Sequence, residues 1–167
     1  MKVKKRLEDL RDLMNEHQID IYLVPTADYH NSENVGRYFM ERAYISGFTG
    51  SAGSVLVGKD WAGLWTDGRY FLQAKDQLEG SGIDLYRMGQ EGVPSLEGFL
   101  EDKLGRGERL AFDGRCVTYG QGLVLEKIVA KNKGSLVYDL DLIDQVWADR
   151  PPMAREPIFE LQVKYAG

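Results

Sequence analysis

The stretch Ile45–Ala74, ISGFTGSAGSVLVGKDWAGLWTDGRYFLQA, decides how this chain is read. Three glycines, Gly47, Gly50 and Gly53, recur at equal spacing just ahead of an apolar run, Ser54–Gly58. Glycine at such places supplies a positive φ or a close backbone approach, so a sharp turn into a strand is expected. A second apolar run, Trp61–Trp65, follows the short Lys59-Asp60 turn, and the pair predicts a β-hairpin. Thr66-Asp67-Gly68-Arg69-Tyr70 then makes a tight turn that presents one arginine where a strand passes into a helix. That helix, Tyr70–Leu78, has Phe71, Leu72, Ala74 and Leu78 as its expected buried positions.

Working outward, Val3, Leu7, Leu10, Leu13 and Met14 form one apolar stripe and predict a helix over Val3–Glu16. Ile19–Pro25 is rich in β-branched and aromatic residues and reads as a buried strand. Downstream, Ile83–Met88 alternates like a strand, and Ser95 caps a helix running to Leu104 with Phe99, Leu100 and Leu104 inward. Arg109–Phe112 is a short strand, Thr118–Lys131 a helix, Leu136–Tyr138 a strand and Asp141–Trp147 a short helix ended by Pro151-Pro152. The pattern predicts an α/β fold: a mixed β-sheet of about six strands flanked by helices, in one domain over residues 1–150. Residues 151–167 hold three of the five prolines and read as a linker toward a further domain. Within them Ile158–Val163 has strand character without an evident partner.

Composition narrows the function classes. The net charge of −5 and the absence of a basic patch argue against nucleic acid as a partner. No apolar run reaches membrane-spanning length, and no signal-peptide core follows the basic start. The single cysteine, Cys116, cannot make an internal disulfide and fits a reducing, cytoplasmic setting as a structural thiol. The glycine-rich stretch lacks the Lys-Ser/Thr of a phosphate-binding loop, and no helix follows it. Ser51 and Ser54 lack the nucleophile-elbow pattern, and only His17 and His30 could serve as a base. His17 is accounted for by the end of the first helix, where an imidazole meets the dipole. His30, flanked by Asp28 and Glu33, could hold a metal weakly, though such loops are more often solvated. Arg69 is the sharpest candidate. From spacing alone, pairing with Asp67 and a ligand role are evenly balanced.

The motif GFTGSAG…LWTDGRYFLQA resembles the amino-terminal domain of aminopeptidase P, the Xaa-Pro aminopeptidase branch of the creatinase/prolidase family. Asp144-Gln145-Val146-Trp147-Ala148-Asp149-Arg150-Pro151 resembles the segment that closes the first domain in the long, three-domain type. The resemblance implies a creatinase/prolidase N-terminal fold with a ribonuclease H-like motif. It implies that the chain itself is non-catalytic and belongs to a parent hydrolase, which releases an N-terminal residue preceding proline. Two divalent metals, usually manganese, would sit in a separate C-terminal domain, so no catalytic or metal-ligand residue is carried over to this chain. The domain would wall the cleft, meet a peptide with proline at its second position, pack on its own catalytic domain and support a homodimer. Arg69 is carried over as a substrate contact, and His30 more weakly as a cleft-facing residue. The related motif often reads GFDGSAG, so Thr49 removes a carboxylate that could pair with Arg69 or Arg42. A different class also fits the residues: a stand-alone peptide- or protein-binding module with no catalytic partner.

Overall fold

The computed structural model describes residues 2–157 and 159–165. The order of elements is α1 (Lys2–Glu16), β1 (Ile21–Pro25), α2 (Glu41–Ser46), β2 (Ser54–Gly58), β3 (Ala62–Thr66), α3 (Phe71–Leu78), β4 (Asp84–Arg87), α4 (Leu96–Lys103), β5 (Arg109–Ala111), α5 (Tyr119–Lys131), β6 (Ser135–Val137) and α6 (Leu142–Val146). Single 3-10 turns lie at Arg37–Phe39, Gly68–Tyr70, Gly114–Cys116 and Val163–Tyr165.

The six strands form one sheet in the order β4-β3-β2-β1-β5-β6. β1, β2 and β3 are antiparallel neighbours, whereas β3–β4, β1–β5 and β5–β6 pair in parallel. The sheet is therefore mixed, as expected, with the β2–β3 hairpin lying between β4 and β1.

Strand alternation sorts the core into two layers. Tyr22 and Val24 of β1 face one side with Leu7, Leu10 and Met14 of α1, Ile45 of α2, Ala74 and Leu78 of α3, and Leu142 and Ile143 of α6. Ile21 and Leu23 face the other side with Phe99 and Leu100 of α4 and Leu125, Ile128 and Val129 of α5. On this second side Trp65 stacks on Tyr86 at 4.1 Å between ring centroids, and Phe99 closes the cluster edge-on.

Local chemistry explains the helix ends. Ser95 accepts from the Gly98 N–H, and Thr118 and Gln121 form a reciprocal capping box at α5. Arg11 of α1 donates to the Gly58 and Trp61 carbonyls, both at 3.0 Å, and ties the first helix to the turn of the hairpin.

Three expectations are corrected. α2 was not foreseen at all. Leu72 faces solvent, because in a helix of about 3.6 residues per turn it lies roughly opposite Ala74, which with Leu78 forms the buried face of α3. The strand expected at Ile158–Val163 is absent among its described residues: Phe159, Leu161 and Val163 are exposed and unpaired with the sheet. Ile158 itself lies outside the described residues.

Candidate functional site

The C-terminal ends of β1, β3 and β5 point the same way, because β2 runs antiparallel between β1 and β3 and β5 is parallel to β1. Loops leaving that edge carry the residues of interest, at the end of an α/β sheet where ligands are commonly met. Segment 26–36 leaves β1, segment 67–70 leaves β3, and segment 112–118 leaves β5. The glycine segment 47–53 leads into β2 at the same edge.

Arg42 builds the glycine segment. Its guanidinium is buried and donates to the Phe48 and Gly50 carbonyls, while Nε donates to Thr26 Oγ1 at 2.9 Å. Thr26 in turn donates to the Gly53 carbonyl through both its N–H and its hydroxyl. Burial without a carboxylate partner pulls the Arg42 pKa down to about 10. Gly47 ends α2 in the left-handed region at φ 74°, and a Cβ on Gly50 would press on Phe48 and come within 2.8 Å of Tyr70 Cδ1. The spacing of the glycines thus answers to a helix terminus and a close approach between rings. Thr49 takes no arginine; its N–H donates to Gln77 Oε1 and its hydroxyl accepts from Gln73 and Gln77.

Arg69 stands beside this segment. Asp67 accepts from the Arg69 N–H at 3.0 Å, from Nε at 2.9 Å and from Nη2 at 2.8 Å. This side-on pairing holds the guanidinium in place. Its hydrogen bonds to Arg69 also hold the Asp67 carboxyl below its usual range. The Arg69 side chain nevertheless remains 69% exposed, and its Nη1 has no acceptor among the described residues. Tyr70, next in the chain, shares a 2.6 Å hydrogen bond with Ser51. The two readings of Arg69 therefore coexist: Asp67 fixes one edge of the fork and leaves the other open.

His30 is exposed on the neighbouring loop. Asp28 does not face a metal there. Its Oδ1 accepts the N–H groups of His30 and Ser32, both at 2.9 Å, and the Ser32 amide leads the effects that keep its pKa low. Glu33 lines a small cavity with Thr49, Gly50 and Ser51, so this loop reaches the same rim.

Among the described residues, one set of potential metal ligands converges: Glu41, Asp113 and Asp141. Sequence reasoning did not find it, because α2 has too few residues to show a period. Two guanidinium groups already serve these carboxylates. Arg150 pairs with Glu41 through Nη2 and with Asp141 at 2.9 Å, while Arg115 reaches Asp113 at 2.8 Å and Asp141 at 3.2 Å. Burial, and after it the repulsion of Asp141, raises the Glu41 pKa to about 7. A set of three carboxylates, no imidazole and two arginines does not fit a pair of catalytic divalent ions. Cys116 is buried close by, and burial pushes its thiol up to about 12, as befits a structural residue.

Comparison with known proteins agrees with this geometry. The Creatinase/Prolidase N-terminal domain family matches residues 6–145. The chain is 42% identical to Aminopeptidase P2 of Arabidopsis thaliana over 99% of its own length and 24% of that protein. It is 42% identical to a probable Xaa-Pro aminopeptidase P of Pyrenophora teres f. teres over 97% of its length and 25% of that protein. The chain thus spans about a quarter of the curated relatives it matches. A solved X-prolyl aminopeptidase from Caenorhabditis elegans, described as a cytosolic enzyme with a di-nuclear active site, superposes with a TM-score of 0.86 at 32% identity, over 92% of this chain and 27% of that one. The N-terminal domain of cytoplasmic peptidase PepQ from Mycobacterium tuberculosis shares the fold at 23% identity and a TM-score of 0.61, over 86% of this chain and 98% of that one. No helix among the described residues is long and apolar enough to cross a membrane. By its motifs, its sheet and its likeness to these proteins over nearly its whole length, the chain belongs to the creatinase/prolidase N-terminal domain family.

Proposed function

We propose that this chain is the non-catalytic N-terminal domain of a metal-dependent Xaa-Pro aminopeptidase, a hydrolase that releases an N-terminal residue preceding proline. The carrying observation is the 42% identity over almost the whole chain to aminopeptidases about four times as long. In this reading two divalent metals, manganese by family resemblance, reside in a C-terminal catalytic domain, and none of the residues described above binds them. The parent works in the cytoplasm, like the cytosolic nematode enzyme, as a homodimer.

The domain's own task is to wall the active-site cleft. Arg69, fixed by Asp67 and open at Nη1, supplies a donor to a peptide carbonyl or carboxylate oxygen. His30 lies on the same rim as a weaker contact. Residues 151–167 form the linker to the next domain.

Arg69→Ala in the full-length enzyme tests the central claim. We expect kcat/KM for Xaa-Pro peptides to fall about 10-fold or more while thermal stability stays near wild type. An unchanged kcat/KM would remove Arg69 from the substrate surface. The 167-residue chain supplied with manganese should release no N-terminal residue from Xaa-Pro peptides, and proline-specific release would overturn the non-catalytic assignment.

A further inference from the structure

The Asp-Gly-Arg turn that carries Arg69 occurs twice. Asp113-Gly114-Arg115 leaves β5 as Asp67-Gly68-Arg69 leaves β3, and each runs through one 3-10 turn capped by its aspartate. The backbones differ, with ψ 174° at Asp67 and 105° at Asp113, but the aspartate–arginine pairing is the same. Asp113 accepts from the Arg115 N–H at 3.0 Å, from Nε at 2.8 Å and from Nη2 at 2.8 Å. The corresponding distances at Arg69 are 3.0, 2.9 and 2.8 Å.

Both aspartates hold the same edge of the fork. Arg115 Nη2 reaches Asp141 as well, at 3.2 Å, yet Arg115 Nη1 has no acceptor among the described residues. The side chain stays 52% exposed. It also lies over the Tyr29 ring, 4.8 Å from its centroid, which fixes the plane of the guanidinium. A cavity of about 190 Å³ opens there, lined by Arg115, His30, Asn31 and Thr118 among others.

One loop joins the two turns. Its Tyr29 lies under Arg115, and its Glu33 lines a cavity with Thr49 and Ser51, the latter hydrogen-bonded to Tyr70 beside Arg69. β3 and β5 are three strand positions apart in the sheet. At about 4.8 Å per strand the turns are about 14 Å apart, the span of about four residues of extended chain. Local charge limits the ligand. Arg115 pairs with Asp113 and Asp141, Glu41 lies beside both carboxylates, and Arg150 is the other cation on them among the described residues, so a neutral acceptor suits the open N–H better than an anion.

We infer that Arg115 is a second substrate-contacting arginine, donating through Nη1 to a backbone carbonyl oxygen of an extended peptide about four residues from the point that Arg69 meets. This inference rests on the proposed peptidase role. It adds a length preference: peptides long enough to reach Arg115 gain binding that short ones lack.

The test is kcat/KM of the full-length enzyme for a tripeptide and a heptapeptide, both beginning Ala-Pro. Wild type should prefer the longer peptide by about fivefold, the value of one well-made hydrogen bond. Arg115→Lys keeps the charge beside Asp113 and Asp141 but loses the planar fork, and should reduce the long-to-short ratio to about one. Arg69→Ala should lower both peptides together. An Arg115→Lys ratio equal to that of wild type overturns the inference. A wild type indifferent to length overturns it without any variant. If Arg69→Ala is impaired and the ratio ignores Arg115, the inference falls and the proposed function stands. Absence of any peptidase activity in the full-length chain overturns both.

Discussion

Arg150 and Arg69 are paired with carboxylates in opposite ways. Arg150 is 5% exposed, held by Glu41, Asp141, Asp144 and the Tyr38 carbonyl, with the Tyr38 ring 3.8 Å from its guanidinium carbon. Arg69 is 69% exposed and held by Asp67 alone. The first ties the segment that leaves α6 to the body of the fold. The second orders a side chain that the fold does not need. Burial, not the presence of an ion pair, separates a structural arginine from an available one.

Removal of each arginine should measure that separation. Arg150→Ala strands Glu41 in the interior and leaves Asp141 with Arg115 alone, and chemical denaturation should show a loss of about 3–5 kcal/mol. A loss below about 1 kcal/mol would place the node among ordinary surface pairs. The pH dependence sharpens the same contrast. Glu41 is raised to about 7 from its ordinary value of 4.5, so between those values the folded state holds more protons than the unfolded one. Stability contributed by this group is present below about pH 4.5 and is lost as pH rises to about 7, a change on the order of 3 kcal/mol. Denaturation curves at pH 5, 6, 7 and 8 should show that decline in wild type and a flatter profile in Glu41→Gln.

A smaller effect is expected at the glycine segment, which lies between the two regions. Gly50→Ala puts a methyl against Phe48 and Tyr70 and should cost about 1–3 kcal/mol in the same assay, by forcing the rings apart. The least is expected at the exposed pair: Arg69→Ala should change stability by less than Gly50→Ala does. A larger loss there would make Arg69 part of the fold's support and erase the contrast.

The parts legible in the sequence are those with a period. The stripe of α1, the hairpin and the Ser95 cap of α4 each repeat or begin in a way that residue type alone reveals. α2 escaped because six residues cannot display a period, and its clue is Gly47 as a helix terminator. Its two leading residues, Glu41 and Arg42, are charged and buried, which no hydropathy pattern anticipates. At the rim, Asp67 and Arg69 were readable as neighbours. The open edge of the fork was not, because it depends on which face of the guanidinium the aspartate takes. The second Asp-Gly-Arg turn is plain in the sequence, but its kinship with the first shows only once both are seen leaving parallel-running strands.

The buried thiol has a practical meaning for that second turn. Cys116 is the chain's single cysteine and follows Arg115 directly. With its pKa near 12, the native thiol offers almost no thiolate to an alkylating reagent at neutral pH. Labelling must then wait for the segment around residues 113–117 to open, and its rate reads out that opening with one signal and no engineered probe. A peptide seated on Arg115 would slow the clock, and one that meets only Arg69 would leave it running.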